Sequence, residues 1–257
     1  GYTRGEGVDR LGGDQSRLKD AKRSTPIHAF MELHIEQGGF LEAKKLNIGF
    51  VEGIVGIRWW NVIVEGTANH GGTTPMPGRH DALVAASKLV IAISERATGM
   101  QGNQVATVGK ISAFPGAPNV IPGKVEFSLE IRDLDSAKIQ HVFQVIQDEA
   151  KKLEDTLGVK ISFQASNVNI HPAPTNTVVR TLIEDSIKGL NLSYQYMPSG
   201  AGHDAQDMAP ITPTGMIFVP SIGGISHSPK EYTLPRDMAN GADVLFHTLL
   251  KLDKTNF

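Results

Sequence analysis

The segment ELHIEQG places three polar side chains at alternate positions of a predicted strand, namely Glu32, His34 and Glu36. Because successive side chains of a strand point to opposite faces, all three are expected on one face. Glycines at 38–39 break the strand and leave His34 and Gln37 near its C-terminal end, where open α/β sheets keep their ligand sites. The alternative interpretation is an edge strand with a solvated face.

A second histidine with metal-ligand chemistry, His227, lies in the sequence SHSP. It follows the short apolar run GMIFVP through the pair Gly223-Gly224, which allows the backbone to turn tightly beside the end of a strand. A lone histidine in such a loop is usually an ordinary surface residue. Paired with His34, it becomes a candidate second nitrogen ligand for zinc. Since the chain has no cysteine, any metal must be held by His, Asp and Glu.

Two other loops and one strand end carry groups that bind anions or polarise carbonyls. The run SGAGHDA contains Gly202 among small residues that let backbone N–H groups approach a ligand closely. His70 lies in HGGTTPM, Asn119 in the loop APNV, and Arg132 at the end of the following strand. A histidine, an amide and a guanidinium together suit a ligand that has a carboxylate and a carbonyl. Each residue alone is equally well explained as part of a turn or a surface.

Composition narrows the class of protein. The 257 residues are 40% hydrophobic and 20% charged, which is typical of a folded domain rather than a disordered chain. A net charge of −2 gives no basic field, so we expect neither nucleic acid nor a membrane as a partner. Residues 1–22 are polar and charged, unlike a signal peptide, and no apolar run reaches the length of a membrane span. We expect a cytoplasmic protein.

The elements needed to position these residues can be read from periodicity. The region 58–165 predicts the order β-α-β-β-α-β, with helices beginning near Asp81 and Ser136, which is the ferredoxin-like split βαβ unit. The flanking segments alternate strands and helices, as an α/β layer does. We therefore predict an α/β fold in which a ferredoxin-like domain at 57–172 is inserted into a second domain formed by 1–56 and 173–257.

As an ordered set, the motifs point to a known family. They are ELHIEQG, HGGTTPM, APNVIPG, a strand ending in Arg132-Asp133, SGAGHDA and GISHSP. From about residue 27 to the C-terminus, the chain resembles the zinc-dependent amidohydrolases that include N-carbamoyl-L-amino acid hydrolases, allantoate amidohydrolases and ureidoglycolate amidohydrolases. These enzymes are related to aminoacylase and to carboxypeptidase-type dinuclear zinc peptidases.

This resemblance implies a zinc-peptidase-like catalytic domain and an inserted lid and dimerisation domain, so a homodimer is expected. It implies hydrolysis of a linear amide in an N-carbamoyl-L-amino acid or a ureido acid such as allantoate, with two zinc ions per subunit; Mn, Co or Ni are alternatives. His34 and His227 would each bind one of the two ions, and His70 would polarise the scissile carbonyl. The residues expected to bind substrate are Gln37, His70, Asn119, Arg132 and Gly202.

The chain departs from the family pattern at its start. In the family, a preceding segment supplies a His, a bridging Asp and a Glu-Glu pair that includes the general base. Residues 1–22 offer no substitute, so we expect the catalytic domain to be truncated and this chain alone to be inactive. Two alternatives remain: an aminoacylase or dipeptidase-type metallopeptidase, and a non-catalytic dimerising binding module.

Overall fold

A computed structural model, which describes residues 1–23 and 25–257, contains two five-stranded β-sheets with helices packed against them and a small two-stranded ribbon. The helices are α1 (Arg4–Arg10), α2 (Phe40–Lys44), α3 (Ala82–Gly99), α4 (Ser136–Leu157), α5 (Thr177–Gly189), α6 (Asp204–Met208) and α7 (Pro235–Leu252). The strands are β1 (Phe30–Ile35), β2 (Ile48–Ile54), β3 (Gly56–Glu65), β4 (Asn69–His70), β5 (Val105–Thr107), β6 (Ile111–Phe114), β7 (Val120–Ile121), β8 (Lys124–Asp133), β9 (Lys160–Ile170), β10 (Ala173–Pro174), β11 (Tyr194–Ser199) and β12 (Thr214–Val219). The predicted mixed α/β class is confirmed.

The first sheet brings the ends of β1 and β12 together. The strands lie in the order β1-β12-β2-β11, and the two-residue β10 also pairs with β2. β1 and β12 are parallel and in register, so that Ile35 lies opposite Val219. All six residues of β12 are buried, as expected for an apolar central strand. The segments that follow these two strands, which contain Gln37 and His227, therefore leave from the same edge of the sheet.

One face of this sheet is covered by α5 and α7. Their apolar stripes meet the inward side chains of β2 and β12 in one core, which includes Ile48, Phe50, Ile183, Ile217 and Val244. A smaller core on the other face joins α2 and α6 to the same strands. Among the described residues 1–23 and 25–257, no helix is long and apolar enough to cross a bilayer.

The second sheet is antiparallel and has helices on one face only. β3 pairs with β8 and β9, and the short strands β5 and β6 both pair with the far side of β8. α3 and α4 cover the face that carries Trp60 and Leu129, where Trp60 stacks on Phe143 with ring centroids 4.2 Å apart. Because side chains alternate along β8, Glu130 and Arg132 lie on the opposite, helix-free face.

Two helix ends follow from local sequence. Asp81 caps α3, since its Oδ1 accepts hydrogen bonds from the N–H groups of Leu83 and Val84 at 2.9 and 3.1 Å. Gly158 ends α4 in the left-handed conformation, with φ of 64°, which a residue without Cβ adopts without strain. The predicted helix start near Asp81 is thereby confirmed, and α4 begins at Ser136 as predicted.

The alternation of residues 104–113 predicts one strand, and the structure divides this region into β5 and β6. Between them, Lys110 bonds to Ser128 through its carbonyl and its N–H, the latter donating to Ser128 Oγ at 3.1 Å. A side chain thus replaces one rung of the ladder, and the edge strand bulges there. In the N-terminal region, Thr3 and Glu6 form a capping box at the start of α1.

The chain passes between the two sheets twice, at adjacent points. A Cβ on Gly56 would lie 2.6 Å from Cδ of Pro172, so only glycine allows the two crossings to approach this closely. The side-chain amide of Gln206, on α6, donates to the carbonyls of Val55 and His171, both at 3.0 Å. One side chain therefore ties α6 to both crossings.

Candidate active site

The C-terminal end of β1 holds His34 in one tautomer. Its Nδ1 lies 2.9 Å from the carbonyl oxygen of Ile35, and a carbonyl can only accept, so Nδ1 carries the proton. The lone pair is then on Nε2, which is the arrangement found when a histidine ligates a metal. The structure thus presents His34 as a competent nitrogen donor.

Glu36, the third residue of the polar face predicted from ELHIEQG, has a different role. Its two carboxylate oxygens accept hydrogen bonds from the N–H groups of Phe40 and Leu41 at 2.9 and 2.8 Å. The carboxylate therefore satisfies the free N–H groups in the first turn of α2. The side chain serves local structure and is not directed to His34.

Glu32 and His203 lie beside His34. The three side chains offer ligand atoms that all lie within 4.8 Å of one another, and the rings of His34 and His203 meet edge to face with centroids 4.6 Å apart. His203 follows Gly202 in SGAGHDA, which the sequence marked as an anion-binding loop. Its approach to His34 depends on the long-range packing of α6 against β1, and the sequence gives no local signal for that.

Both nitrogens of His203 are engaged. Nε2 lies 2.7 Å from Ser199 Oγ, and Nδ1 lies 3.5 Å from an oxygen of Glu32. The other oxygen of Glu32 accepts the N–H of Ala205 at 2.7 Å. His203 is almost wholly buried, with 1% of its side chain exposed, so this network fixes its ring in place. Glu32 and His203 therefore form the wall against which the His34 ring packs.

The environment of Glu32 favours its charged form. Burial raises the pKa of this carboxyl, but the contact with His203, the hydrogen bond from Ala205 and the charges of His203 and His34 together outweigh burial. The net result is a pKa below the ordinary value for glutamate. Glu32 thus places a negative charge close to His34, which suits a site for a cation.

Gln37 and His227 meet at the edge of the sheet, as expected from the parallel strand ends. Nε2 of Gln37 lies 3.1 Å from Ser226 Oγ and 3.4 Å from Nε2 of His227. Both residues adopt left-handed backbone conformations, with φ of 60° for Gln37 and 55° for His227. A non-glycine residue in this region is uncommon and is often found at functional sites.

Glu231 holds the His227 loop. The hydrogen bond from the His227 N–H, at 2.9 Å, together with a contact from Ser226, lowers the pKa of this carboxyl. The charges of His227 and His34 lower the pKa of this carboxyl further. Histidine nitrogens with nearby carboxylates are the donor set that zinc prefers, and the residues of this edge fit such an ion.

His70 and Asn119 lie on a small ribbon formed by β4 and β7. Nδ1 of His70 accepts hydrogen bonds from the N–H groups of Gly72 and Thr73 at 3.0 and 3.2 Å. The proton of the neutral ring must therefore be on Nε2, which leaves Nε2–H as a donor. Gly71 N–H bonds the Asn119 carbonyl at 2.8 Å, so the two predicted residues are neighbours. Both side chains are exposed.

Arg132 lies at the other end of the second sheet. Its Nε and Nη2 donate to the two oxygens of Glu130 at 2.7 and 3.0 Å, and Nη1 donates to the carbonyl of Gly200 at 2.6 Å. The Gly200 contact brings the guanidinium to the loop that contains Gly202 and leads to His203. Arg132 is therefore linked through this loop to His203, whose ring packs against His34.

The structure does not bring Asn119 and Arg132 together within one chain. The ribbon of Asn119 leaves from the Lys124 end of β8, whereas Arg132 lies eight residues further along that strand, about 27 Å at ~3.4 Å per residue. The sequence placed His70, Asn119 and Arg132 around one ligand. In the conformation described, one copy of the chain does not bring Asn119 and Arg132 to the same ligand.

Comparison with known proteins decides the family. A model of peptidase family M20/M25/M40 matches residues 5–251. The chain belongs to this family. It is 39% identical over 253 residues to an N-carbamoyl-L-amino acid amidohydrolase of Geobacillus stearothermophilus. This match covers 98% of the chain and 61% of the relative. It is also 39% identical over 226 residues to the allantoate amidohydrolase of Escherichia coli K12, covering 88% of this chain and 55% of the relative.

A solved structure of the same kind supports the fold. The chain superposes on a hydantoinase/carbamoylase-family amidase from Burkholderia multivorans with a TM-score of 0.87 and 32% identity, covering 98% of this chain and 60% of that one. Like the curated relatives, this protein is considerably longer than the region matched: the chain spans about 60% of its length. The predicted resemblance to the amidohydrolases of N-carbamoyl-L-amino acids and allantoate is confirmed.

Proposed function

We propose that this chain carries metal-binding and substrate-binding residues of an amidohydrolase that cleaves a linear amide in an N-carbamoyl-L-amino acid or a ureido acid such as allantoate. The observation that carries the proposal is the end of β1 and β12, where His34 presents its Nε2 lone pair and Gln37 contacts His227. The His34 ring packs against His203, and the loop that leads to His203 accepts a hydrogen bond from Arg132. The two relatives described above, an N-carbamoyl-L-amino acid amidohydrolase and an allantoate amidohydrolase, act on this class of substrate.

The metal in this proposal is zinc, with two ions per subunit and Mn, Co or Ni as alternatives. His34 and His227 would each hold one ion, and the remaining ligands and the general base would come from residues other than these 257. Glu32 and His203 would orient the His34 ring. When bound, zinc supplies Lewis-acid activation of water near neutral pH. The 257 residues alone are then expected to be inactive.

The residues of this chain would act on the substrate from two sides. Arg132 would bind the substrate carboxylate, with Gln37 and the Gly202 loop lining the same pocket. His70 would donate its Nε2–H to the oxyanion that develops on the scissile carbonyl, a role that its two backbone hydrogen bonds prepare. Asn119, its neighbour on the ribbon, would add an amide to the same substrate.

A homodimer would allow Arg132, His70 and Asn119 to bind one substrate although β8 separates Arg132 from the other two residues within one chain. The second sheet with α3 and α4 would be a ferredoxin-like lid and dimerisation domain at 57–172, inserted between catalytic pieces at 1–56 and 173–257. Since one strand fixes the span between the ribbon and Arg132, a hinge motion of the whole sheet cannot shorten it. The ribbon of a second copy would then bring His70 and Asn119 to the site.

We expect the protein encoded by the intact gene to be a dimer in solution at micromolar concentration. A two-fold pair would place identical sheet edges or helices against each other. Light scattering coupled to size-exclusion chromatography measures the mass directly. A monomeric mass at full activity would contradict the shared site, because His70 of one chain could not then reach Arg132 of another.

Replacing Arg132 by lysine should lower kcat/KM for an N-carbamoyl amino acid by roughly 10- to 150-fold. Lysine keeps the positive charge but lacks the planar guanidinium that can donate two parallel hydrogen bonds to a carboxylate. Each charge-assisted hydrogen bond contributes about 1.5–3 kcal/mol. Steady-state kinetics on the intact gene product should show a much smaller loss for the carboxamide analogue of the substrate. Equal losses for both substrates would mean that Arg132 stabilises the fold and does not recognise the carboxylate.

A further inference from the structure

Arg132 is held by its neighbours before any ligand is present. The Nε edge of its guanidinium is paired with both oxygens of Glu130, two residues earlier on the same face of β8. A guanidinium has five N–H groups, and this pairing uses two, while the Gly200 carbonyl takes a third. One N–H on each terminal nitrogen remains for a ligand.

Glu130 is itself fixed from a second strand. Trp59 lies directly opposite Glu130 on β3, and its indole N–H donates to the Oε2 of Glu130 that also accepts from Arg132 Nη2. The carboxylate is largely shielded, with 20% of its side chain exposed, and the Arg132 side chain is 26% exposed. The orientation of the Arg132 guanidinium is therefore fixed by Glu130, whose own position is fixed by Trp59 on the paired strand.

We propose that Glu130 is a positioning residue for substrate recognition: it holds Arg132 by the Nε edge so that the two remaining terminal N–H groups are presented to the carboxylate of the substrate. This inference rests on the proposed function, in which Arg132 binds that carboxylate. A side chain whose rotamer is fixed by a second shell of hydrogen bonds loses less freedom on binding than a free one. Glu130 does not touch the substrate in this arrangement.

The informative variant is Glu130→Gln, which keeps the size of the side chain. It replaces the two acceptor oxygens of the carboxylate by one amide oxygen and one donor nitrogen. The Trp59 N–H requires an acceptor, so the amide oxygen is expected to take the Oε2 position. The amide nitrogen then faces Arg132 Nε, donor against donor, and turns the guanidinium away. Loss of the negative charge by itself would strengthen anion binding, so the two effects have opposite signs. Positioning predicts weaker binding.

We expect Glu130→Gln, in the intact gene product, to raise KM for an N-carbamoyl amino acid about 10-fold or more while kcat changes less than about 3-fold. The carboxamide analogue should change by less than about 2-fold. Glu126→Gln is the matched control, because Glu126 lies on the same face of β8 and is paired with Lys124 instead. It should leave both substrates unaffected.

A double-mutant cycle completes the test. If Glu130 acts through Arg132, the Glu130→Gln effect should largely disappear in the Arg132→Lys background. An unchanged or lower KM for Glu130→Gln, equal losses on both substrates, or full additivity with Arg132→Lys would overturn the positioning role. If Arg132→Lys itself shows no preference between carboxylate and carboxamide, the proposed carboxylate recognition fails instead, so the two failures are distinguishable.

Discussion

Replacing His34 by alanine should lower kcat/KM of the intact gene product by roughly 10³-fold or more and remove bound metal. His34 is the nitrogen donor whose tautomer is fixed by the Ile35 carbonyl and whose ring packs against His203. Activation of water by a divalent ion contributes several kcal/mol to a hydrolytic transition state, so loss of a ligand is expected to be severe. Metal content by mass spectrometry and steady-state kinetics measure the two effects separately.

His247→Ala serves as the control for the loss of a histidine. His247 is exposed on α7, which covers the face of the first sheet opposite to α6 and His203. The His247 variant should retain both metal and activity. Full activity in the His34 variant, or activity of the purified enzyme that chelators do not affect, would contradict the metal proposal. It would favour a binding module or another hydrolytic mechanism.

Replacing His70 by alanine is expected to reduce kcat by about 10²- to 10³-fold with a smaller change in KM. This is the usual cost of removing one donor that stabilises a developing oxyanion, because the interaction is strongest in the transition state. The backbone bonds from Gly72 and Thr73 orient the ring, so the donor is prepared in advance. Steady-state kinetics with an N-carbamoyl amino acid provide the measurement.

His141→Ala, on the exposed side of α4, is the matched control and should behave as the unmodified protein. His70→Gln tests the chemistry, since its amide keeps an N–H donor and should recover part of the lost rate. If His70→Ala instead raised KM with kcat unchanged, His70 would bind the ground state and would not stabilise the transition state.

The sequence predicted the helices α3 and α4 closely because their ends depend on local chemistry, such as the Asp81 cap and the left-handed Gly158. It also placed His34 and Gln37 correctly at a strand end, since strand alternation and glycine breaks are local signals. The roles of Glu36 and Glu130 could not be read in this way. Their carboxylates accept hydrogen bonds from backbone or side-chain donors, and the positions of those donors depend on the folded chain.

The separation of Asn119 from Arg132 shows a different limit. The sequence identifies both residues as candidates and places Arg132 at the end of the strand that follows Asn119, as β8 shows. Their distance follows from the length of that strand, but motif order along a sequence carries no information on which copy of a chain supplies each group. The network of His203, Ser199 and Glu32 likewise depends on two segments that are distant in sequence.

The adjacency of the two crossings has an evolutionary and engineering consequence. Ile57 pairs with Ile170, and Gly56 packs against Pro172, so the segment between them begins and ends at nearly the same place. Segments with neighbouring ends can be exchanged or shortened without displacing the elements on either side. Under the proposed function, the first sheet could thus keep its metal-binding residues while lineages acquire different versions of residues 57–170. Chimeras joined at Gly56 and Pro172 would then exchange the residues proposed to bind substrate.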